Sequence, residues 1–292
     1  MASDNSRKGP PRGTVAKLPS GYEIHYHDSG KHEIEGHDTG ALPTVVLVQG
    51  SGPGANGYSN FKFNCEVIAR AGFRVIVPDL VGFGYSSKPE GIDYTLELFS
   101  GTLCELLDQL AVERCMLVGN SLGGAVSIDI ALKRPRLVDK LVLMAPGGIE
   151  TTEAYFRMPG IQRMVSEFVG GARDRQTLRK ILEMLAYDSR HVDDALVEER
   201  FAILSTQPRD VLARMKIPDL STRLPELRMP ILGFWGMEDQ FCPASGAQKI
   251  LAACADARFV LYARTGHWVM IERAREFNAI VLDFLNGRTL TK

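Results

Sequence analysis

The chain has 292 residues, of which 45% are hydrophobic, 24% charged and 8% aromatic, and its formal net charge is -1. This length suffices for one large domain or two small ones with a well-buried core. The near-zero charge gives no electrostatic basis for binding nucleic acid or an anionic membrane. No apolar run approaches the roughly twenty residues of a spanning helix, and the polar start MASDNSRKGPPRG lacks the apolar segment of a secretion signal. We therefore predict a cytoplasmic protein with a disordered lead-in over residues 1–16.

Short β-branched runs alternate with longer helical stretches after the lead-in. This alternation predicts an α/β fold with a mostly parallel central sheet flanked by helices. The predicted strands cover residues 22–27, 45–48, 74–77, 115–118, 140–144, 231–235 and 258–262. From residue 45 onward they are nearly continuous apolar runs, as expected for strands covered on both faces. Helical patterns include residues 96–110, 122–133 and 274–285.

The alternation stops between residues 149 and 224, a segment that we call the helical insertion. It contains the amphipathic patterns MPGIQRMVSEFV, LRKILEMLAYD, ALVEERFAIL and DVLARMKI, and no convincing strand. An all-helical insertion of this length is expected to cover one edge of the sheet as a cap. The predicted division is a core of residues 17–148 and 225–292 with a helical cap over residues 149–224.

The cysteines and most of the histidines suggest no metal site. The five cysteines form no C-x-x-C pair, which favours free thiols in a reducing compartment. His25 and His27 share one face of a strand beside Asp28, but nothing elsewhere supplies a fixed third ligand. We predict neither a metal nor a cofactor. The polar stretch that follows, with His32 and His37, has no assigned role.

The stretch LVGNSLGGA places Ser121 directly after an apolar strand and before a helical pattern. Gly119-Asn120-Ser121-Leu122-Gly123 fits the G-x-S-x-G nucleophile elbow, in which the serine occupies a tight strand-to-helix turn. The two glycines allow the strand and the helix to approach each other closely. The competing interpretation is a serine that only caps the helix.

A serine hydroxyl needs a general base, and the base needs an orienting acid. Of the six histidines, His267 lies at a strand-to-helix junction, whereas His191 lies among acids in the helical insertion. In this arrangement the acid precedes the histidine at the end of a strand, which favours Asp239 after ILGFWG, with Glu238 as the local rival. Because each residue follows its own strand, we predict a triad of Ser121, Asp239 and His267.

Negative charge that develops on the substrate needs two backbone N–H donors about 3 Å away. The elbow supplies the N–H of Leu122. The loop QGSGPGANGYSN supplies the other, for which Ser51 is the candidate. Glycines such as Gly50 let this backbone approach the substrate. The alternative is a merely flexible connection.

Together these residues resemble the α/β-hydrolase superfamily over nearly the whole chain after about residue 17. More narrowly, GSGPGANGYSN, GNSLGGA, WGMEDQFCP and GHWVMIERAREFN resemble the meta-cleavage product hydrolases. This resemblance implies hydrolysis of a carbon–carbon bond in a 2-hydroxy-6-oxo-hexa-2,4-dienoate, a ring-opened product of aromatic degradation. It also implies a homodimer or a higher homo-oligomer.

The resemblance further implies a set of substrate-binding residues. Asn60, Asn120 and Arg200 match positions that hold the carboxylate end of the dienoate, Trp268 matches an active-site tryptophan, and Gly50 begins the loop beside them. A planar guanidinium grips a carboxylate bidentately, and amides can hydrogen-bond the adjacent oxygens. Three of these positions have another explanation. Asn60 could be a helix N-cap, Arg200 could lie on a charged surface, and Trp268 could be plain core packing.

The chain departs from the family pattern at several points. Gln49 stands where many members carry a histidine before the glycine loop, and Leu185 where some have a phenylalanine. Only part of the usual start of the insertion is kept, so the sequence leaves the C6 substituent of the substrate open. Two other functions stay open: a carboxylesterase or lactonase with the same triad, which needs no carboxylate grip, and a ligand sensor that retains the triad without turnover.

Overall fold

The structure is a computed structural model that describes residues 13–30, 42–169, 171 and 173–287. His32 and His37 lie outside these residues, as do most of their polar stretch and the lead-in up to residue 12. Within the part of the chain that the structure describes, no helix combines the length and hydropathy needed to cross a membrane.

The strands and helices alternate in the order expected from the sequence. The described strands are β1 (Thr14–Lys17), β2 (Glu23–Asp28), β3 (Thr44–Val48), β4 (Arg74–Pro78), β5 (Tyr94–Thr95), β6 (Cys115–Asn120), β7 (Val138–Met144), β8 (Met215–Lys216), β9 (Ile231–Gly236) and β10 (Ala257–Tyr262). The described α-helices are α1 (Gly57–Phe61), α2 (Cys65–Arg70), α3 (Leu96–Gln109), α4 (Leu122–Lys133), α5 (Thr152–Phe156), α6 (Pro159–Met164), α7 (Arg175–Leu185), α8 (Asp194–Leu204), α9 (Asp210–Ala213), α10 (Ser245–Ala253), α11 (Val269–Glu272) and α12 (Ala274–Leu285).

An eight-stranded sheet forms the centre of the molecule, with the strand order β1-β2-β4-β3-β6-β7-β9-β10. Strand β2 runs antiparallel to both β1 and β4, and the remaining neighbours are parallel. Each predicted strand is present with bounds close to those predicted, and so are the three predicted helices. The prediction of an α/β fold with a mostly parallel sheet is confirmed.

Both faces of the sheet are covered, which explains the continuous apolar runs of its central strands. Along β3, Val46 and Val48 belong to one buried cluster, and Val45 and Leu47 belong to a second cluster on the opposite face. Alternate side chains of a strand point to opposite faces. Helices α3, α4 and α10 contribute to the first cluster and α2 and α12 to the second. Polar residues are thereby restricted to the ends of the strands, where the functional side chains lie.

The predicted lead-in extends too far towards the C-terminus. Strand β1 begins at Thr14 and pairs with β2, and in the connecting turn the Gly21 N–H donates to the Leu18 carbonyl at 2.9 Å. One of the four residues of β1 is buried, so its sequence carries almost no hydrophobic alternation. Pairing with β2, a tertiary contact, creates this strand.

The insertion contains α5 to α9 between β7 and β9. Helices α7 and α8 bury their apolar faces, which carry Leu178, Ile181 and Leu182 on α7 and Leu196 and Val197 on α8. The expectation of no strand in this segment is wrong in one detail. The two-residue strand β8 pairs with β5 of the core, and so short a strand exists only through its partner.

Candidate active site

Ser121 lies on the turn between β6 and α4 with a φ of 53°, a left-handed conformation that non-glycine residues rarely adopt. A Cβ atom on Gly119 would lie 2.3 Å from the Gly123 carbonyl oxygen, and one on Gly123 would lie 2.0 Å from the Val48 carbonyl oxygen. Only glycine fits at both positions. Among the described residues, the Ser121 side chain makes no capping hydrogen bond to α4. The helix-cap interpretation of Ser121 is therefore wrong.

His267 and Asp239 form a buried pair, with His267 Nδ1 and Asp239 Oδ2 2.7 Å apart. The other carboxylate oxygen, Asp239 Oδ1, accepts the backbone N–H groups of Phe241 at 2.7 Å and Cys242 at 3.0 Å. Three hydrogen bonds therefore fix the carboxylate, which in turn fixes the orientation of the imidazole ring. This is the geometry in which an acid holds a catalytic histidine in the tautomer that accepts a proton at Nε2.

The rival acid, Glu238, serves a different purpose. Its Oε2 accepts the backbone N–H of Thr265 at 3.0 Å, so Glu238 stabilises the turn before His267. Asp239, the acid favoured by the sequence, is the one in contact with the imidazole.

Ser121 and His267 line one cavity, although they follow different strands. Ser51 lines it from the glycine loop. Most of the remaining wall is apolar and comes from the insertion and the turn after β9: Ile161, Met164, Ile181, Leu185, Phe241 and Cys242. Burial raises the pKa of the Cys242 thiol well above its ordinary value, so Cys242 adds a neutral surface beside the serine. The carboxyl edge of the sheet and the insertion thus enclose Ser121 together.

The two predicted oxyanion donors come from the elbow and from the loop that passes against it. Leu122 is the first residue of α4, so its N–H has no acceptor within the helix. The loop that carries Ser51 passes directly against the elbow. A Cβ on Gly50 would lie 2.8 Å from Asn120 Oδ1 and 3.2 Å from Ser121 Cβ. The assignment of Leu122 and Ser51 to an oxyanion hole stays a prediction.

Arg200, Asn60 and Asn120 form one buried chain of hydrogen bonds, although they come from α8, α1 and β6. Arg200 Nη2 donates to Asn60 Oδ1 at 3.0 Å, and Asn60 Nδ2 donates to Asn120 Oδ1 at 3.4 Å. Asn120 Nδ2 lies 3.3 Å from the Met144 carbonyl oxygen and 3.5 Å from that of His267. The structure thus brings together the three predicted substrate-binding side chains next to the elbow. Among the described residues they do not line the Ser121 cavity itself.

The alternative explanations for two of these residues do not hold. Asn60 lies inside α1, and Asn56 is the N-cap, accepting the Ser59 N–H at 2.7 Å. Arg200 is 2% exposed and is not a surface residue. Trp268 is different. It is buried in the second core cluster and does not belong to the described lining of the Ser121 cavity. Its ring centroid is 5.4 Å from Arg200 Cζ. Trp268 thus packs against Arg200, and its assignment to the substrate site stays a prediction.

Arg200 is a buried cation for which the described residues supply no ion-pair partner. Burial lowers its pKa to about 10, which leaves the guanidinium charged at neutral pH. Within the described part of the chain, Arg200 Nε has no hydrogen-bond partner. A buried unpaired charge is costly. The environment of Arg200 therefore favours binding of an anionic group.

The glycine loop (residues 49–60) is anchored by Gln207 of the insertion and not by its own first residue, Gln49. Gln207 Oε1 accepts the Gly54 N–H at 2.7 Å, and a Cβ on Gly54 would lie 1.9 Å from the Arg200 carbonyl oxygen. Gln49, by contrast, is fully buried, and neither of its side-chain amide atoms has a hydrogen-bond partner among the described residues. The replacement of histidine by Gln49 thus leaves a buried amide unsatisfied.

The histidines of β2 are close together but do not form the hypothetical metal site. The His25 and His27 rings are 5.0 Å apart, yet His25 Nδ1 lies 2.8 Å from Asp79 Oδ2 and Asp28 pairs with Arg74 at 2.7 Å. Among the described residues, no group of three histidine, cysteine, aspartate or glutamate side chains has the arrangement of a metal site.

A family model described as the alpha/beta hydrolase fold matches residues 43–274 of the chain. A 2-hydroxy-6-oxo-6-phenylhexa-2,4-dienoate hydrolase from Comamonas testosteroni is 31% identical over 278 residues, which cover 92% of this chain and 93% of that relative. The chain belongs to the α/β-hydrolase family, in the branch of the meta-cleavage product hydrolases. The resemblance seen in the sequence motifs is confirmed.

Two further members of this family are similar over nearly their whole length. A 2-hydroxy-6-oxononadienedioate/2-hydroxy-6-oxononatrienedioate hydrolase from Paraburkholderia phymatum is 34% identical, and the match covers 90% of each chain. A solved structure of a meta-cleavage product hydrolase from Pseudomonas fluorescens superposes with a TM-score of 0.81 at 28% identity, covering 95% of this chain and 98% of that one. The named substrates of the first two relatives differ in the group attached to C6.

Part of the cavity wall was not predicted from the sequence. Phe241 and Cys242 follow Asp239 on the turn after β9 and line the cavity. Their place directly after the predicted acid, at the carboxyl edge of the sheet, was the available signal.

Proposed function

We propose that the chain is a serine hydrolase that cleaves the carbon–carbon bond of a 2-hydroxy-6-oxo-hexa-2,4-dienoate in aromatic degradation. The observation that carries this proposal is the buried chain of Arg200, Asn60 and Asn120 beside the Ser121 elbow. A dienoate would bring a carboxylate to the Arg200 guanidinium and its 2-oxygen to the neighbouring asparagine amides. A carboxylesterase or lactonase has no use for a buried cation at this place.

In the proposed reaction, Arg200 and the two asparagines hold the carboxylate end while the substrate shifts to its keto tautomer, with proton transfer assisted by His267. Ser121 gives its proton to His267 and attacks the C6 carbonyl, and the backbone N–H groups of Ser51 and Leu122 bind the oxyanion.

When the tetrahedral adduct collapses, the electron pair of the C5–C6 bond moves into the dienolate, which takes a proton and leaves as 2-hydroxypenta-2,4-dienoate. Water then hydrolyses the acyl-serine. The second product is the carboxylic acid that carries the C6 substituent, and Ser121 regains its proton. Asp239 orients His267 throughout by its hydrogen bond to Nδ1.

The insertion acts as the cap of this site, and its side chains favour an apolar group at C6. Ile161, Met164, Ile181 and Leu185 line the cavity from the insertion, opposite Phe241. A charged group in such a wall would lose its hydration without gaining a partner. We expect kcat/KM for a 6-phenyl or 6-alkyl dienoate to exceed that for a dienedioate by roughly 10-fold or more. Equal kcat/KM values would contradict the preference for an apolar C6 group but would not contradict the proposed cleavage of the C–C bond.

The proposed activity is tested by mixing the purified protein with a 6-phenyl dienoate and following the loss of its visible absorbance. Wild type and Ser205→Ala, an exposed serine at the end of α8, are expected to bleach the substrate and release benzoate. Ser121→Ala is expected to lose at least about 10³-fold in kcat. Rapid hydrolysis of aryl esters with persistent dienoate colour would instead establish the esterase. Binding of the dienoate without turnover by wild type would establish the ligand sensor.

The proposed setting is the cytoplasm, and the proposed assembly is a homodimer or a higher homo-oligomer. All five cysteines are free thiols, which supports a reducing compartment. Light scattering coupled to size-exclusion chromatography measures the assembly directly. A monomer at micromolar concentration would contradict it.

A further inference from the structure

Glu272, at the end of α11, accepts three backbone N–H groups with its carboxylate. Oε1 accepts the N–H of Gly266 at 2.7 Å, and Oε2 accepts those of Tyr187 at 2.8 Å and Asp188 at 3.2 Å. Gly266 directly precedes His267, whereas Tyr187 and Asp188 follow the end of α7 in the insertion. One side chain thus connects the loop of the proposed base to the insertion.

The loop of His267 and the segment after α7 are in close contact around this carboxylate. The Trp268 N–H donates to the Leu185 carbonyl oxygen at 3.1 Å, and a Cβ on Gly266 would lie 2.8 Å from the Tyr187 nitrogen. Leu185 and His267 both line the Ser121 cavity. A shift of either segment would therefore change the cavity wall and the position of the imidazole together.

A carboxylate is the group that suits this place, because both of its oxygens are acceptors. A glutamine would offer one oxygen, and its NH₂ group would face a backbone N–H on either the loop side or the insertion side. Burial raises the pKa of Glu272, although the three N–H donors favour the charged form. The hydrogen bonds therefore offset part of the hydration that the carboxylate loses.

We propose that Glu272 is a positioning residue for the reaction, whose carboxylate fixes the loop of His267 and the end of α7 in one arrangement. This arrangement keeps the His267 imidazole and Leu185 in the wall of the Ser121 cavity. The proposal rests on the proposed roles of Ser121 and His267, but it does not depend on which bond the enzyme cleaves.

The test compares Glu272→Gln, Glu272→Asp and a matched control, Glu276→Gln, which changes an exposed glutamate of α12. A fluorophosphonate probe measures the reactivity of Ser121 without any dienoate. For Glu272→Gln we expect full labelling stoichiometry, a labelling rate lowered roughly 10- to 100-fold, and an equal loss of kcat on an aryl ester. The ester KM is expected to change by less than about threefold, because the cavity wall stays apolar. Glu276→Gln is expected to match wild type.

Full stoichiometry shows that the variant is folded, so a slow rate then reports misalignment rather than unfolding. Glu272→Asp keeps two acceptor oxygens on a side chain that is one methylene shorter, so its labelling rate is expected to be at least about threefold higher than that of Glu272→Gln but below that of wild type. Wild-type labelling rates in Glu272→Gln, or no recovery in Glu272→Asp, would overturn the proposal.

If Glu272→Gln does not fold, the Asp variant is compared with wild type, and an unchanged labelling rate overturns the proposal. If wild type does not cleave the dienoate but the labelling rates behave as expected, the proposed function fails and the role of Glu272 stands.

Discussion

Arg200 donates a 3.0 Å hydrogen bond to Asn60, a residue 140 positions earlier in the chain. The contact joins α8 of the insertion to α1 of the core, and both side chains are buried. Arg200 Nη2 is thereby hydrogen-bonded to a neutral amide, whereas Arg200 Nε has no partner among the described residues. The contact orients the cation and leaves it free to receive an anion.

Replacing Arg200 by glutamine removes the charge and keeps a hydrogen-bonding group. We expect the KM for a dienoate to rise about 10- to 100-fold, because a hydrogen bond to a charged group contributes about 1.5–3 kcal/mol. The KM for an uncharged aryl ester should stay within about threefold of the wild-type value. Arg228→Gln, at an exposed arginine, serves as the control. Steady-state kinetics on both substrates measure the difference, and an equal effect on the ester would remove the carboxylate assignment.

The Arg200–Asn60 contact itself can be measured with a double-mutant cycle of Arg200→Gln and Asn60→Ala. Residues in one hydrogen-bond network couple by about 0.5–3 kcal/mol. We expect a coupling in this range for dienoate kcat/KM. Additive effects would mean that the two side chains hold the substrate independently.

Asp239→Asn is expected to lower kcat by on the order of 10³- to 10⁴-fold, by analogy with the serine protease triad. The asparagine oxygen can still accept the N–H groups of Phe241 and Cys242, which leaves its NH₂ facing His267 Nδ1. The imidazole proton then moves to Nε2, and the base can no longer take the Ser121 proton. Glu238→Gln changes the neighbouring acid, which accepts the Thr265 N–H, and should lower kcat by less than about tenfold. Similar losses for both variants would contradict the assignment of Asp239.

Two glycine substitutions distinguish a required glycine from an optional one. Gly123→Ala places a methyl group 2.0 Å from a backbone oxygen and is expected to destabilise the protein by about 3 kcal/mol or more. Gly101→Ala, inside α3 with nothing within 4 Å of the new Cβ, should stabilise it by about 0.5–1 kcal/mol. Urea unfolding compares them, and a tolerated alanine at Gly123 would mean that the elbow is looser than described.

Gln49→Met is expected to stabilise the fold by about 1–2 kcal/mol. The amide of Gln49 is buried and unpaired within the described residues, and an unsatisfied buried polar group costs about 1–3 kcal/mol. Gln248→Met, at an exposed position of α10, should change stability by less than about 0.5 kcal/mol. A loss of stability in Gln49→Met would instead reveal a bound water or another partner for the amide.

The strands of the central sheet and the Ser121 turn could be predicted from short-range sequence patterns. Nearly continuous apolar runs mark strands with two covered faces, and the G-x-S-x-G spacing marks the Ser121 turn, because both depend on neighbouring residues. Strands β1, β5 and β8 were missed because β1 exists through pairing with β2, and β5 and β8 exist through pairing with each other. Their own sequences carry too little alternation to distinguish them from loops.

The sequence by itself determined the α/β fold, the elbow and the order of serine, acid and histidine, since these follow from local periodicity and from the ends of parallel strands. Only the tertiary structure decided between Asp239 and Glu238, because adjacent residues on a turn point in different directions. It alone brought Arg200 to Asn60, left Arg200 Nε without a partner among the described residues, and placed Glu272 between the His267 loop and the insertion. These contacts join distant segments, and their geometry depends on how the insertion packs on the sheet.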